Sequence, residues 1–305
     1  MDGSVKDPVL VATDGGRSAA SALEFAASYA AREGVAVEVV SVVEPLSDLP
    51  MPLPHREELE HAHARGVAAR VRQHVRDSVG AVSWPVHVRL GRPAPAICTT
   101  ARERKARLVI LGMDPKKADG NATAVELLHL AERPVLVAHS GTLPDKAVVG
   151  IDFRPSSLRA AEEALRLVRA GGTLHLVHVQ PSLDFPAASV WGWGTCYDGA
   201  VADAFDALAE SLLEKGAGEV CRHCGSGDPA EELMKAAEEL EAHLLAIGSD
   251  GYICNGRVVV GRVARRILAR ADVPVLATPV VTSMEGPFAG LDVEGAATAR
   301  QLVVG

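Results

Sequence analysis

The chain has 305 residues, a formal net charge of -8 and nearly half apolar side chains, enough for two hydrophobic cores and too apolar for intrinsic disorder. The acidic balance argues against a sequence-independent grip on nucleic acid or an anionic membrane, both of which need a basic surface. No apolar run approaches the roughly 20 residues of a membrane span, and Met1-Asp2-Gly3-Ser4 has neither the basic nor the apolar region of a signal peptide, so a cytoplasmic location is expected.

In chain order, the apolar strand Val9-Leu10-Val11-Ala12 ends in Thr13-Asp14 and leads into a helix on which Leu23, Ala26, Ala27 and Ala30 recur at helical spacing. A β-rich run from Val35 to Val43 precedes a Pro-rich loop and a second helix carrying Val67, Val71 and Val75. Arg65, Arg70, Arg72 and Arg76 on this helix read as a solvated face, while His55, His61 and His63 near its start converge on nothing. Gly91-Arg92-Pro93 opens a third helix, on which Cys98 reads as core packing. Two further apolar strands follow, Arg107 to Gly112 and Arg133 to Val137.

After a linker at 141–147 the same signals return. Val148-Val149-Gly150-Ile151-Asp152 answers the first strand at an offset of 138, and Leu158, Ala161, Leu165 and Val168 mark the following helix. Thr173 to Val179 is the second strand, and Val201, Phe205, Leu208 and Leu212 mark the second helix. Gly227-Asp228-Pro229 and His243 to Gly248 follow at an offset of 136, and Val273 to Ala277 at 140. The expected units are residues 1–143, residues 144–281, and a Gly-rich and Ala-rich tail over 282–305 that repeats nothing. Each half reads β-α-β-α-β-α-β-α-β. Strands that are continuous apolar runs, alternating with helices, indicate a doubly wound parallel sheet covered on both faces, an α/β fold of Rossmann-like type.

In such a sheet ligands bind beyond the carboxyl ends of the strands, where strand order reverses, which draws attention to the loops after strands 1 and 4. In the second half strand 4 runs into Gly248-Ser249-Asp250-Gly251 and, nine residues on, Gly261-Arg262-Val263, a Gly-x2-Gly-x9-Gly pattern. Glycines permit close backbone approach, and N–H groups at a helix start favour an anion. Taken alone, the pattern fits either an anion cradle or a Gly-rich surface loop. Gly256 to Gly261 has Walker-like spacing, but Arg262 and Val263 stand where Lys and Ser or Thr are required, and no Gly-x-Gly-x-x-Gly follows strand 1 in either half, so P-loop and dinucleotide readings weaken.

The stretch from Ala242 to Pro279, with its strand, Gly-x2-Gly-x9-Gly loop, helix and closing Pro-Val-Leu strand, resembles the signature of the universal stress protein family; Asp152 and Gly227-Asp228-Pro229 agree, and the repeat extends the resemblance over about residues 7–280. The resemblance implies two tandem five-stranded parallel sheets of strand order 3-2-1-4-5, as in the adenine nucleotide α-hydrolase-like folds, and ATP, ADP or AMP, with or without Mg²⁺, as the ligand. Carried over, it places Asp152 beside adenosine, the backbone of Val179 at the adenine edge, Gly248, Gly251 and Gly261 on the phosphates, and Val263 at the closing helix start. Arg262 departs from the family's Ser or Thr; a guanidinium there either clamps phosphate, points to solvent or fills the pocket. The first half departs further, with a loop four residues shorter, Pro115 in place of the second glycine and only Gly120 beyond, which implies a degenerate site. The resemblance also implies an internal pseudo-dimer in which Val135 to Ala138 and Val275 to Thr278 pair across the axis, with further homodimerisation open and an unidentified signalling partner.

Cys221-Arg222-His223-Cys224 falls on the expected third strand, where successive side chains face opposite ways, and no second pair follows at zinc spacing. His175 and His178 lie three apart on a strand, hence on opposite faces. Trp191, Trp193 and Tyr197 read as an aromatic loop after strand 2, a lid on its own domain. No nucleophile elbow or placed general base is present, so a dedicated catalyst is not supported; the resemblance implies regulatory nucleotide binding in the stress response. A slow ATP hydrolase and an empty interaction scaffold are the alternatives.

Overall fold

A computed structural model describes residues 6–16, 19–45, 55–112, 122–180, 193–249, 252–254, 257–259 and 261–279. The first half runs β1 (Val9–Ala12), α1 (Ala19–Glu33), β2 (Val37–Val43), α2 (Arg56–Val79), β3 (Val86–Leu90), α3 (Pro93–Glu103), β4 (Leu108–Gly112), α4 (Ala122–Leu130) and β5 (Val135–Ala138). The second runs β6 (Lys146–Gly150), α5 (Pro155–Leu167), β7 (Thr173–Gln180), α6 (Trp193–Glu214), β8 (Glu219–Ser226), α7 (Pro229–Glu239), β9 (Leu244–Ser249), β10 (Tyr252–Cys254), β11 (Arg257–Val259), α8 (Arg262–Arg270) and β12 (Val275–Pro279).

Both halves have strand order 3-2-1-4-5, and they fuse into one ten-stranded sheet, β3-β2-β1-β4-β5-β12-β9-β6-β7-β8. Pairing is parallel within each half. The junction is antiparallel, with Val275 opposite Val137, Leu276 opposite Leu136 and Ala277 opposite Val135. Because the last strand of each half is a continuous apolar run, neither tolerates a solvated edge, and pairing them removes two exposed rows of N–H and C=O groups at once.

Helices α1, α2, α5 and α6 cover one face, whose core runs unbroken from Val9, Leu23 and Phe25 to Leu174, Phe205 and Leu276. Helices α3, α4, α7 and α8 cover the other, from Leu10, Ile97 and Leu127 to Leu245, Ile267 and Val275. Val67, Val71 and Val75 are buried while Arg65, Arg70, Arg72 and Arg76 are exposed, as expected of an amphipathic helix. Cys98 is half-buried in the second core, which pushes its thiol up to about 11. Arg32 at the end of α1 reaches across the halves and donates to the carbonyl oxygens of Leu167 (3.1 Å), Val168 (2.9 Å) and Arg166. A cation there satisfies the free carbonyls at the end of α5.

Three expectations need correction. Strand β6 starts at Lys146, inside the expected linker 141–147, because its N-terminal residues pair with Thr173 and Leu174 on β7. Helix α6 starts at Trp193, so Trp193 and Tyr197 lie on a helix rather than a loop; Trp191 is outside the described residues. A hairpin, β10–β11, occupies part of the Gly-x9-Gly stretch, pairing Tyr252 with Val259 and Cys254 with Arg257. Asn255-Gly256 between the paired segments is a strong two-residue hairpin signal. The tail at 282–305 and the short first-half loop with Pro115 and Gly120 also lie outside the described residues.

Candidate functional site

Strands β6 and β9 are neighbours, yet the helices that follow them, α5 and α8, lie on opposite faces, and the carboxyl ends of such a strand pair are where a doubly wound sheet places its ligand crevice. Asp152 stands exposed at the end of β6. Its carboxylate accepts the Arg154 backbone N–H at 3.0 Å and pairs with the Arg154 guanidinium at 3.6 Å, while the Asp152 N–H donates to Ser157 Oγ at 3.3 Å. The equivalent Asp14 accepts the Gly16 N–H at 2.7 Å, so both halves build the same turn at the end of their first strand.

The residue inside that turn distinguishes the halves. Gly15 has φ 79°, and its counterpart Phe153 has φ 60°, a left-handed conformation that costs a residue with a side chain about 1–2 kcal/mol. Phe153 is held there by an aromatic cluster, with ring centroids 5.3 Å from His178 and 5.2 Å from Phe205. His178 Nδ1 in turn donates to the Ile151 carbonyl at 2.7 Å. The end of β6 is therefore fixed from below.

Gly248 lies one residue before the end of β9, opposite Thr278. A Cβ on it would come within 2.5 Å of Ser156 Oγ and 2.7 Å of Ser157 N, so its missing side chain lets the first turn of α5 close onto β9. Gly251 falls outside the described residues. Gly261 is the N-cap of α8 and supplies no side-chain cap; Arg262 is the exposed first residue of the helix, and Val263 is half-buried against the second core. Arg262 makes no hydrogen bond or ion pair with a described residue. Val179, next to last on β7, is half-buried opposite Gly225. Two buried hydroxyls near this end of the sheet, Ser249 Oγ and Thr278 Oγ1, have no partner among the described residues.

Asp228 supports the helix start from the side. It caps α7 by accepting the N–H groups of Ala230 (3.1 Å) and Glu231 (3.2 Å), and it holds Arg266 of α8 at 2.7 Å. The Glu231 N–H, then Arg266, keep its carboxyl below the usual range. In the first half the charges are exchanged, with Arg92 at the start of α3 paired to Glu126 of α4.

Cys221 to Cys224 lie on β8, and among the described residues no three His, Cys, Asp or Glu side chains gather as a metal site. The register does bring His175 to His223, Nδ1 to Nε2 at 3.1 Å. That pair was invisible in the sequence because it depends on how β7 and β8 are aligned.

The universal stress protein family model matches residues 6–139 and again residues 144–279. The chain belongs to the universal stress protein family. A curated relative, universal stress protein MJ0531 of Methanocaldococcus jannaschii, is 25% identical over 147 residues, covering 46% of this chain and 85% of the relative. A universal stress protein from Archaeoglobus fulgidus has a similar fold, with a TM-score of 0.67 at 21% identity, over 90% of this chain and 98% of that one. The functionally unknown protein PA1789 from Pseudomonas aeruginosa gives 0.60 at 16% identity, over 90% and 92%. Among the described residues no helix is long and apolar enough to cross a membrane.

Proposed function

We propose that this universal stress protein is a cytoplasmic, regulatory adenine-nucleotide binder whose working site lies in the second half. The observation that carries the reading is the junction of β6 and β9, where strand order reverses, together with the start of α8, whose N-cap Gly261 supplies no side-chain cap and whose Arg262 has no partner among the described residues. N–H groups at a helix start, an adjacent guanidinium with no partner among the described residues and a glycine-rich approach suit the phosphates of a nucleotide. In this reading Asp152 meets the ribose, the Val179 backbone meets the adenine edge, Gly248, Gly251 and Gly261 admit the phosphates, Arg262 clamps them, and Val263 anchors the helix start. ATP, ADP and AMP, with or without Mg²⁺, are the ligands to test. The first half, lacking the glycine pattern, is the structural partner, and a protein that reads the nucleotide state is the expected listener.

The domain division at 143/144 belongs to the same proposal, with the β5–β12 junction serving inside one chain as the pairing surface. Cys98, Cys221 and Cys224 are free, in keeping with a reducing compartment. Calorimetric titration with ATP, ADP and AMP, with and without Mg²⁺, tests the reading. Micromolar binding at about one site per chain, lost in Gly261→Trp, is the expected result; a protein that binds none of the three is an empty scaffold and the reading fails.

A further inference from the structure

The two halves solve the same place in the fold with different chemistry. On β2, Glu38 sits opposite Leu10 of β1; on β7, His175 sits opposite Val148 of β6, and Leu10 and Val148 are equivalent positions of the repeat. The partners are equivalent too: His87 faces Val40, and His223 faces Val177. In the first half the buried Glu38 carboxylate accepts from His87 Nε2 at 2.7 Å and from Arg104 at 2.6 and 2.8 Å. In the second half histidine replaces the carboxylate, giving His175 Nδ1 to His223 Nε2 at 3.1 Å with ring centroids 5.3 Å apart. Leu240, which like Arg104 follows the end of its helix, replaces the guanidinium.

We propose that the His175–His223 pair is an acid-sensitive latch holding edge strand β8 to β7, through which falling pH loosens the nucleotide site. The two facing nitrogens share one proton. The acceptor ring already carries its own N–H on its outer nitrogen, so a further proton goes to the outer nitrogen of the donor ring, where it leaves the bond intact and strengthens it by adding charge. A proton on the remaining facing nitrogen sets two N–H groups against each other and two positive rings in contact, so the bond breaks. The surroundings carry charges of both signs. Lys146 on β6 adds positive charge, Glu219 and Cys221 on β8 flank the pair, and Glu232, Lys235 and Glu239 of α7 line a cavity of about 190 Å³ that admits water to His223. Burial, then His223 and Lys146, push His175 below its ordinary value, the same direction as the geometry.

Strand β8 leads directly to the nucleotide crevice. It runs into Gly227 and Asp228, and Asp228 caps α7 and holds Arg266 of α8, the helix whose start is the proposed phosphate cradle. Strand β7 ends beside Val179. Loosening the β7–β8 edge therefore disturbs both ends of the site; this second step rests on the nucleotide reading, while the latch itself does not.

The test follows ring protonation by NMR and β8 amide exchange between pH 7.5 and 4.5 in the full chain, in His175→Glu, which installs the first-half pairing, and in His223→Gln. We expect one protonation step of the wild-type pair to fall below the ordinary histidine value. Exchange across β8, corrected for intrinsic pH dependence, then accelerates about tenfold on acidification, and His175→Glu abolishes that acceleration. Two independent titrations near the ordinary value, or identical exchange profiles in His175→Glu and wild type, overturn the latch; His223→Gln decides the matter if His175→Glu does not fold. ATP affinity measured at both pH values separates the steps. Affinity that weakens on acidification more in wild type than in the variant supports the coupling, and equal weakening overturns it. Absence of binding at pH 7.5 refutes the nucleotide reading, with the exchange data still deciding the latch.

Discussion

Replacing Gly248 with alanine tests whether the crevice depends on close packing rather than on backbone freedom. The added methyl would lie 2.5 Å from Ser156 Oγ, 2.7 Å from Ser157 N and 2.9 Å from the Ser156 carbonyl carbon, against 3.4–4 Å for ordinary contact. Ser156 Oγ can rotate away, but Ser157 N is backbone, held in the first turn of α5 by its 3.0 Å bond to the Arg154 carbonyl. The strand or the helix start has to move by several tenths of an ångström, and overpacking of this kind costs roughly 1–3 kcal/mol. Urea unfolding followed by circular dichroism measures it, with Gly66→Ala as the control. Gly66 lies in α2 with nothing within 4 Å of an added Cβ, so alanine there stabilises by roughly 0.5–1 kcal/mol. Because Asp152 is tied to the same turn through Ser157, the nucleotide site proposed above predicts an affinity that falls in Gly248→Ala and not in Gly66→Ala. A Gly248→Ala protein as stable as wild type would falsify the packing argument.

Arg32→Ala removes the donors that cross from α1 to the end of α5 and lowers stability by about 1–3 kcal/mol in denaturant titration; an unchanged midpoint refutes the contact. At Phe153 glycine is less harmful than alanine, by roughly 1 kcal/mol, because both lose the rings of His178 and Phe205 but only glycine relieves the left-handed backbone. The opposite order removes the claim of strain. Glu38 has its carboxyl lowered from 4.5, chiefly by the Arg104 hydrogen bond, so its contribution is complete above pH 4.5 and is lost as pH falls through the lower folded value. Glu38→Gln is accordingly less stable than wild type at neutral pH, and the gap narrows below about pH 4.5; a gap independent of pH rules out the ionised carboxylate as the source.

The duplicated fold was legible because its signals are local. Val67, Val71 and Val75 recur at helix spacing, the strands are short apolar runs, and Asp14 and Asp152 end them at a constant offset, so period and order could be read without knowing any contact. The hairpin at Tyr252–Val259 was equally local, announced by Asn255-Gly256, although the glycine pattern around it suggested only an anion cradle or a Gly-rich surface loop. Phe153 gave no such sign. A bulky residue at positive φ contradicts its own propensity, and only the packed rings around it explain why it stays there.

By itself, then, the sequence determined two copies of a β-α unit, the order of their elements, the buried faces of the helices and the glycine-rich approach after the fourth strand of the second copy. All of these follow from side-chain polarity and spacing along the chain. Tertiary structure alone decided that the copies share one ten-stranded sheet through β5 and β12, that Gly248 yields its space to α5, and that Glu38 and His175 occupy matching positions with opposite chemistry. The physical reason is the same in each case: strand register and helix approach bring together residues dozens of positions apart, and no periodicity within one segment encodes which partner it will meet.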